Sequence, residues 1–283
     1  MSEYVIITPI KNEKGNIEKT IISVVNQIQL PLEWIIIDDN SNDGSENIIK
    51  EAAKEFDWIK IFYPEKYELK DYSSRVVHLV NFGFSKISKK VDFISKLDAD
   101  VSFDKFFYKN IIEKFNSNSK LGIASGHLME NKIPEINRKT TFICTRGATK
   151  VYRVKCLEDI GGIICYQGWD TLDNVAARSK GWQVAILPEY FEHLKKEGSK
   201  VGNLFYSNYR TGFYNGSIPY YLPYFFVKIL YTLIKKPIFF GSILQIVGYT
   251  KGRLFNQKRP FPKYIVRRLH FEQKQYLLSI IDK

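Results

Sequence analysis

Lys96-Leu97-Asp98-Ala99-Asp100-Val101 places two carboxylates two residues apart at the end of an apolar run. On an extended segment residues i and i+2 share a side, so both acids are expected to project together where a strand over Val91 to Leu97 stops. Adjacent carboxylates repel, and one takes up a proton unless a cation sits between them. A divalent ion carrying a substrate's phosphates suits that place, because hard ions such as Mg²⁺ or Mn²⁺ take carboxylate oxygens. An Asp-x-Asp alone is also a common solvated loop. Its weight here comes from further acids at other strand ends.

Patterning identifies the elements that would carry these acids. Tyr4 to Thr8, Glu33 to Ile37, Trp58 to Phe62 and Val91 to Leu97 are short apolar runs and read as strands. Asn16 to Gln27, Ser45 to Phe56, Arg75 to Lys86 and Asp104 to Phe115 have helical periodicity. Apolar strands alternating with helices predict an α/β domain whose largely parallel sheet is covered on both faces. Ligands of such sheets sit beyond the carboxyl ends of the strands. Thr8-Pro9, Asp38-Asp39 and Asp98 to Asp100 all fall at such ends. The run from Asp38 to Ser45 doubles as a helix start, with Asp43 or Ser41 as the cap.

A chain of 283 residues with 45% hydrophobic and 25% charged residues has the material for a sizeable core, which excludes a disordered or fibrous class. Cys144, Cys156 and Cys165 show no Cys-x-x-Cys spacing and read as reduced thiols of a cytosolic protein. Met1 to Ile7 enters a strand without a basic leader, so no secretory signal is expected. The net charge of +12 is uneven: sixteen Lys and Arg face three acids from Lys195 onward, and the rest of the chain nets −1. Two zones follow, a domain over residues 1–195 and a basic, aromatic extension over 196–283. In the extension, Ser217 to Val227 and Ile238 to Tyr249 are apolar runs bounded by Lys228, Lys235-Lys236, Lys251 and Arg253. Both fall short of the roughly 18 uncharged residues of a spanning helix. In-plane or re-entrant helices anchored on an anionic membrane surface fit these letters, as does an aromatic helical pair packed on the main domain. No RNA-recognition or helix-turn-helix signature accompanies the basic residues, so nucleic acid is not an expected partner. Nothing in the letters sets an oligomeric state.

Taken in order and spacing, Val5-Ile6-Ile7-Thr8-Pro9-Ile10-Lys11-Asn12-Glu13, then Ile35-Ile36-Ile37-Asp38-Asp39-Asn40-Ser41-Asn42-Asp43-Gly44-Ser45, then Leu97-Asp98-Ala99-Asp100 resemble the inverting family 2 glycosyltransferases of GT-A fold. Gly168-Trp169-Asp170-Thr171-Leu172-Asp173 and the hydrophobic extension resemble one bacterial and archaeal branch of them. The resemblance implies a Rossmann-like, mostly parallel sheet with helices on both faces and a C-terminal helical extension. It implies a nucleotide-diphosphate sugar donor, a divalent metal, and an acceptor hydroxyl on a glycan or a polyprenyl-linked sugar. Thr8 and Pro9 would cradle the nucleotide, Asp39 would accept the base N–H, and Arg75 would touch the diphosphate. Asp98 would face the ribose or a metal-bound water, and Asp100 would ligate the metal. His193 stands where members carry a histidine that closes the site and completes the metal shell; imidazole suits Mn²⁺ better than Mg²⁺, so Mn²⁺ is expected. Lys195, Lys196 and Arg210 follow where positive charge would hold phosphates.

An inverting transfer needs one base for the acceptor hydroxyl. Members usually carry Glu-Asp before the helix after Gly168; here the Asp is Asp170, and Trp169 replaces the Glu. Asp170 is the expected base, and Asp173, one helical turn on, is its rival. Loops Lys66 to Ser74 and His127 to Thr141 would build the acceptor pocket. The extension would hold the protein on the inner face of the cell membrane, beside polyprenyl-diphosphate-linked acceptors. Two other classes stand against this reading. A sugar-phosphate nucleotidyltransferase would want a Gly-rich loop with Arg or Lys after the first strand, which Ile10 to Gly15 lacks. A non-catalytic membrane or nucleic-acid binding module would not need three acidic strand ends.

Overall fold

A computed structural model describes residues 2–65, 67–68, 74–130, 133–134, 144–166, 168–195, 204–233, 238–256 and 261–281. The chain divides into two compact units, one of Met1–Cys165 with Trp169–Glu197 and one of Tyr166–Gly168 with Gly198–Lys283.

The first unit is built on a nine-stranded sheet. Strands β1 (Tyr4–Ile10), β2 (Glu33–Asp38), β3 (Ile59–Phe62) and β4 (Phe93–Leu97) run parallel in the order β3-β2-β1-β4. Helices α1 (Ile17–Val25), α2 (Ser45–Glu55) and α3 (Arg75–Phe84) connect them, as the apolar-helical alternation requires. Beyond β4 come β5 (Val101–Phe103), α4 (Phe107–Ser117), β6 (Leu121–Glu130), β7 (Ile133–Pro134), β8 (Thr149–Arg153), α5 (Val154–Ile160), α6 (Trp169–Ser179) and β9 (Gln183–His193). The sheet continues β4-β8-β6-β9-β5, with β7 on β6. Here β4·β8, β6·β8 and β5·β9 are antiparallel, and β6·β9 is parallel. The strands β6 and β8 are not announced by the alternation of apolar runs and helices.

Every residue of β2 is buried, as expected of a strand covered on both faces. Helix α1 turns Ile17, Thr20, Ile21 and Val24 inward, the spacing of one helical face. On α3, Ser74 caps the first turn by accepting the Val77 N–H at 3.3 Å. Gly83 of α3 lies so close to β1 that a Cβ there would sit 2.5 Å from Ile7 Cγ2, so no larger residue fits without displacing the helix. These contacts hold the carboxyl ends of β2, β1 and β4 along one edge, with Pro9 paired to Ile37 and Ile7 to Lys96.

The second unit contributes α7 (Leu204–Ser217), α8 (Leu222–Thr232), α9 (Phe240–Asn256) and α10 (Lys263–Ile281) among the described residues. Its small core stacks Phe225 on Tyr249 at 3.7 Å with Ile229 alongside. The two apolar runs of the extension become α8 and α9, while Lys235-Lys236-Pro237 lies outside the described residues. No helix of the described residues is long and apolar enough to cross a membrane.

At the amino end of β2, Glu33 is buried and its carboxylate accepts from Lys60 of β3 and from the Ser88 hydroxyl and N–H. Burial alone would raise its pKa, but Lys60 and Ser88 outweigh it and hold the carboxyl below its ordinary value. The unfolded chain therefore takes up this proton more readily than the folded one. Stability contributed by the charged form is present above the ordinary glutamate pKa and is lost as pH falls through the depressed one. Glu33→Gln is expected to lower stability at pH 7 and to flatten the acid limb of the stability profile, measured by urea unfolding from neutral pH to about pH 3.

Candidate active site

The turn after β2 separates two neighbouring acids by direction. Asp38 is buried and accepts the Ser41 N–H at 3.0 Å together with the Ser41 hydroxyl. Asn40 and Asn12 both adopt left-handed φ values of 61° and 56°, a conformation asparagine tolerates. The Asn12 side chain accepts the Asn42 N–H at 2.9 Å, and Ser41 accepts the Asn12 N–H at 3.0 Å. Neither Asp43 nor Ser41 is the N-cap of α2: Gly44 takes that place in a left-handed conformation, and Asp43, one residue before it, accepts the Ser45 N–H at 2.9 Å. With Asp38 turned inward, Asp39 faces a cavity of about 780 Å³ lined also by Lys11, Asn40, Pro64, Glu65, Tyr67, Glu68 and Arg75. Its carboxylate pairs with Arg75 and accepts the Tyr67 hydroxyl at 3.3 Å. Tyr67 in turn lies on the His78 ring, with centroids 4.0 Å apart. Arg75 thus stands beside Asp39 at the cavity wall.

Thr8 departs from its expected place. It is fully buried, and its hydroxyl accepts the Trp34 indole N–H at 2.9 Å. A side chain closed in by the neighbouring strand cannot touch a bound nucleotide, so Thr8 supports β2 instead. Pro9, one residue on, is half-buried at the open edge.

The geometry of Asp98 and Asp100 also differs from the extended one expected. β4 ends at Leu97, and the chain turns at Ala99 and Asp100 before β5 begins. Thr20 of α1 clamps this turn: its hydroxyl lies 2.9 and 2.8 Å from the carbonyls of Ala99 and Val101 and accepts the Val101 N–H at 3.2 Å. The two carboxylates therefore take different partners. Asp98 pairs with Lys96, whose ammonium also donates to the Gly147 carbonyl at 2.8 Å. Asp100 meets His193, its Oδ1 lying 3.6 Å from Nδ1. The antiparallel pairing of β5 with β9 sets His193 opposite Val101 and creates that meeting. Burial alone would raise the Asp100 pKa, yet His193, then Lys195 and Lys96, hold it below the usual carboxylate value.

Asp100 and His193 fit a divalent ion. Two ligands of one octahedral ion at about 2.1 Å lie about 3 Å apart, close to the observed separation. Among the described residues no group of three His, Cys, Asp or Glu side chains could hold a metal. A two-ligand protein set leaves the other positions to phosphate oxygens and water, the usual arrangement for ions that carry nucleotides.

The start of α6 is held by a cation that sequence reasoning missed. Lys150 of β8 is fully buried and donates to both Asp173 oxygens at 2.8 and 2.9 Å and to the Asp170 carbonyl at 2.8 Å. Tyr152 donates to the same Asp173 carboxylate. Burial raises the Asp173 carboxyl above its ordinary value, and Lys150 and Tyr152 offset only part of that rise. With both oxygens engaged and no exposure, the Asp173 carboxylate faces Lys150 and Tyr152 and is closed to a ligand, unlike the half-buried Asp170. Asp170 is half-buried, with its Cβ near Gly147. Trp169 lies between Lys96 and Lys150, whose ammonium groups stand 5.4 and 5.1 Å from its ring. Asp98, Lys96, Gly147, Trp169 and Asp170 form one contiguous cluster. Asp39 lies at the end of β2, two strand spacings from β4, on the order of 10 Å.

A lone lysine within Thr149 to Arg153, an otherwise buried strand, was the available signal for Lys150; its partner 23 residues on was not. Lys195 pairs with Glu13 of the β1–α1 loop. Lys196, most of Lys66 to Ser74 and most of the segment from 131 to 143 lie outside the described residues. Lys150→Met is expected to destabilise the fold by about 3–5 kcal/mol, because it strands a buried carboxylate. The double change Lys150→Met with Asp173→Leu should recover most of that loss, both read by chemical denaturation.

Comparison with known proteins places this edge in context. A β-1,3-glucosyltransferase of a GalNAc(5)-diNAcBac-PP-undecaprenol substrate from Campylobacter jejuni is 35% identical over 68 residues, 24% of this chain and 22% of that one. The minor teichoic acid biosynthesis protein GgaA of Bacillus subtilis is 27% identical over 164 residues, 53% of this chain and 35% of that one. The chain thus matches about a third or less of the length of these relatives. The solved structure of mannosyltransferase PcManGT from Pyrobaculum calidifontis, in complex with GDP-Man and Mn²⁺, superposes with a TM-score of 0.58 at 12% identity, covering 99% of this chain and 86% of that one. That likeness establishes the GT-A fold. The family profile matches residues 5–167, more than half of the chain, and the protein belongs to glycosyl transferase family 2.

Proposed function

We propose that the chain moves a sugar from a nucleotide-diphosphate donor to an acceptor hydroxyl by one displacement that inverts the anomeric carbon. The observation that carries this reading is the acidic edge itself. Asp39 opens on a cavity, Asp100 is paired with His193, and Asp170 lies beside Gly147, whose carbonyl accepts from the Lys96 that pairs with Asp98. Asp39 accepts the base N–H, Arg75 turns toward the diphosphate, Pro9 borders the nucleotide, and Asp98 meets the ribose. Asp100 and His193 would hold a divalent ion, Mn²⁺ in preference to Mg²⁺ because of the imidazole. When bound, that ion neutralises charge growing on the leaving diphosphate. Asp170 takes the acceptor proton as the acceptor oxygen bonds to the anomeric carbon and the bond to diphosphate breaks on the opposite face. Lys150, by gripping the Asp170 carbonyl, keeps that carboxylate at the edge.

The acceptor is a glycan carried on a polyprenyl diphosphate, and the protein works at the inner face of the cell membrane. The basic charge after Lys195 supports this, as does the undecaprenol-linked substrate in the name of the Campylobacter jejuni relative. Residues 1–195 bind the donor and carry the chemistry, and residues 196–283 face the membrane.

Nucleotide sugars screened by thermal shift with Mn²⁺ present should yield a donor that raises the melting temperature. Asp100→Ala is expected to abolish metal-dependent donor hydrolysis; unchanged hydrolysis would count heavily against the assignment. Asp170→Asn should keep the donor's thermal shift while kcat falls by about 10²–10⁴.

A further inference from the structure

Helices α8 and α9 expose much of their large apolar surface, beside a small buried core of Phe225, Ile229 and Tyr249. On α9, Ser242, Gln245 and Tyr249 are buried together with the side bearing Gly248 and Gly252, whereas Phe240, Ile243, Val247 and Leu254 are each more than half exposed. On α8, Phe226, Leu230 and Tyr231 are likewise more than half exposed. A helix folding in water does the reverse.

The contact that holds α7 to α9 is of the same kind. A Cβ on Gly212 or Gly216 of α7 would lie 2.1 Å from the Gln245 or Tyr249 carbonyl. Reciprocally, a Cβ on Gly248 or Gly252 of α9 would lie 2.1 Å from the Tyr209 or Phe213 carbonyl. The partners rise together along both helices, so the two run parallel with backbones touching through a Gly-x-x-x-Gly on each. Such packing buries backbone and small or polar groups and leaves the large apolar side chains outside. It is favoured where the surroundings are as apolar as leucine. The sixteen basic residues against three acids from Lys195 onward, with Lys251 and Arg253 in the final turns of α9, complement an anionic surface. At 17 residues, α9 is about 25 Å long and lacks the hydropathy of a span, which leaves in-plane immersion.

We propose that the outer faces of α8 and α9 insert into the hydrocarbon of an anionic bilayer leaflet, the glycine-paired α7 and α9 forming the submerged scaffold. This rests on the reading above that the acceptor is membrane-borne, and it goes further: attachment is by insertion and not by charge alone.

Flotation of the full chain with vesicles of phosphatidylcholine and phosphatidylglycerol tests it. Insertion keeps the protein on vesicles at about 1 M NaCl, where charges are screened within about 3 Å. The triple change Leu230→Glu, Ile243→Glu and Val247→Glu, all at exposed positions, should release it at that salt while leaving the nucleotide-sugar thermal shift intact. Phe240→Trp gives a gentler readout, since its fluorescence should be quenched by acyl-brominated lipids. Release of the unaltered protein by salt, absence of quenching, or a soluble oligomer that ignores vesicles would overturn insertion. No thermal shift with any nucleotide sugar would instead strike the glycosyl-transfer reading, whatever the vesicles show.

Discussion

A fully buried ammonium on β8 is the constraint on which the acidic edge depends. Lys150 has no access to water, so every proton on its nitrogen must find an acceptor inside the protein. Asp173 supplies two and the Asp170 carbonyl a third, with the Trp169 ring face nearby. Because those acceptors belong to the first turns of α6, satisfying the charge fixes where α6 starts relative to the sheet. Asp170 is therefore held at the edge by the helix to which it belongs. The Tyr152 hydroxyl completes the arrangement from the same strand as Lys150. Removing either charge alone leaves the other stranded, which makes the pair a rigid registration device more than a source of net stability.

A second cation does similar work nearer the surface. Lys96 ties the Asp98 carboxylate to the Gly147 carbonyl, joining the end of β4 to the approach to β8. Thr20 clamps the intervening turn from the opposite side. As a result the two acids of the Asp-x-Asp diverge. One joins the Lys96–Trp169 cluster, and the other joins His193 across the β5·β9 pairing. Divergence gives them different electrostatic settings, Asp98 bound to an ammonium and Asp100 beside an imidazole.

The two units meet different solvation problems. In the first, large apolar side chains such as Trp34, Tyr108 and Phe115 are inside, and burying each stabilises the fold by about 1.5–3 kcal/mol. In the second, Asn215, Ser242 and Gln245 are buried beside Phe225, Ile229, Ile265 and Leu269, while Phe226, Leu230, Phe240 and Ile243 are exposed. The proposed immersion of the second unit in lipid would account for the exposed apolar faces of α8 and α9.

The strands β1 to β4, their connecting helices and the acidic strand ends were legible in the sequence, because local periodicity and turn chemistry act over a few residues and leave their mark in the letters. The apolar runs that became α8 and α9 were read from the same short-range rules, whereas the expected cap of α2 was not met, since Gly44 holds that position. Three matters were decided only by tertiary structure. Thr8 proved to be enclosed by Trp34, Asp173 proved to be enclosed by Lys150 and Tyr152, and the Asp-x-Asp proved to be a turn. Each depends on a partner 21 to 81 residues away, brought close by strand order and register. Residue type and spacing determine which side chains are able to carry charge, cap a helix or accept a proton. Which of them face a ligand and which face one another follows from long-range packing, where a buried charge must be matched and no local pattern records the match.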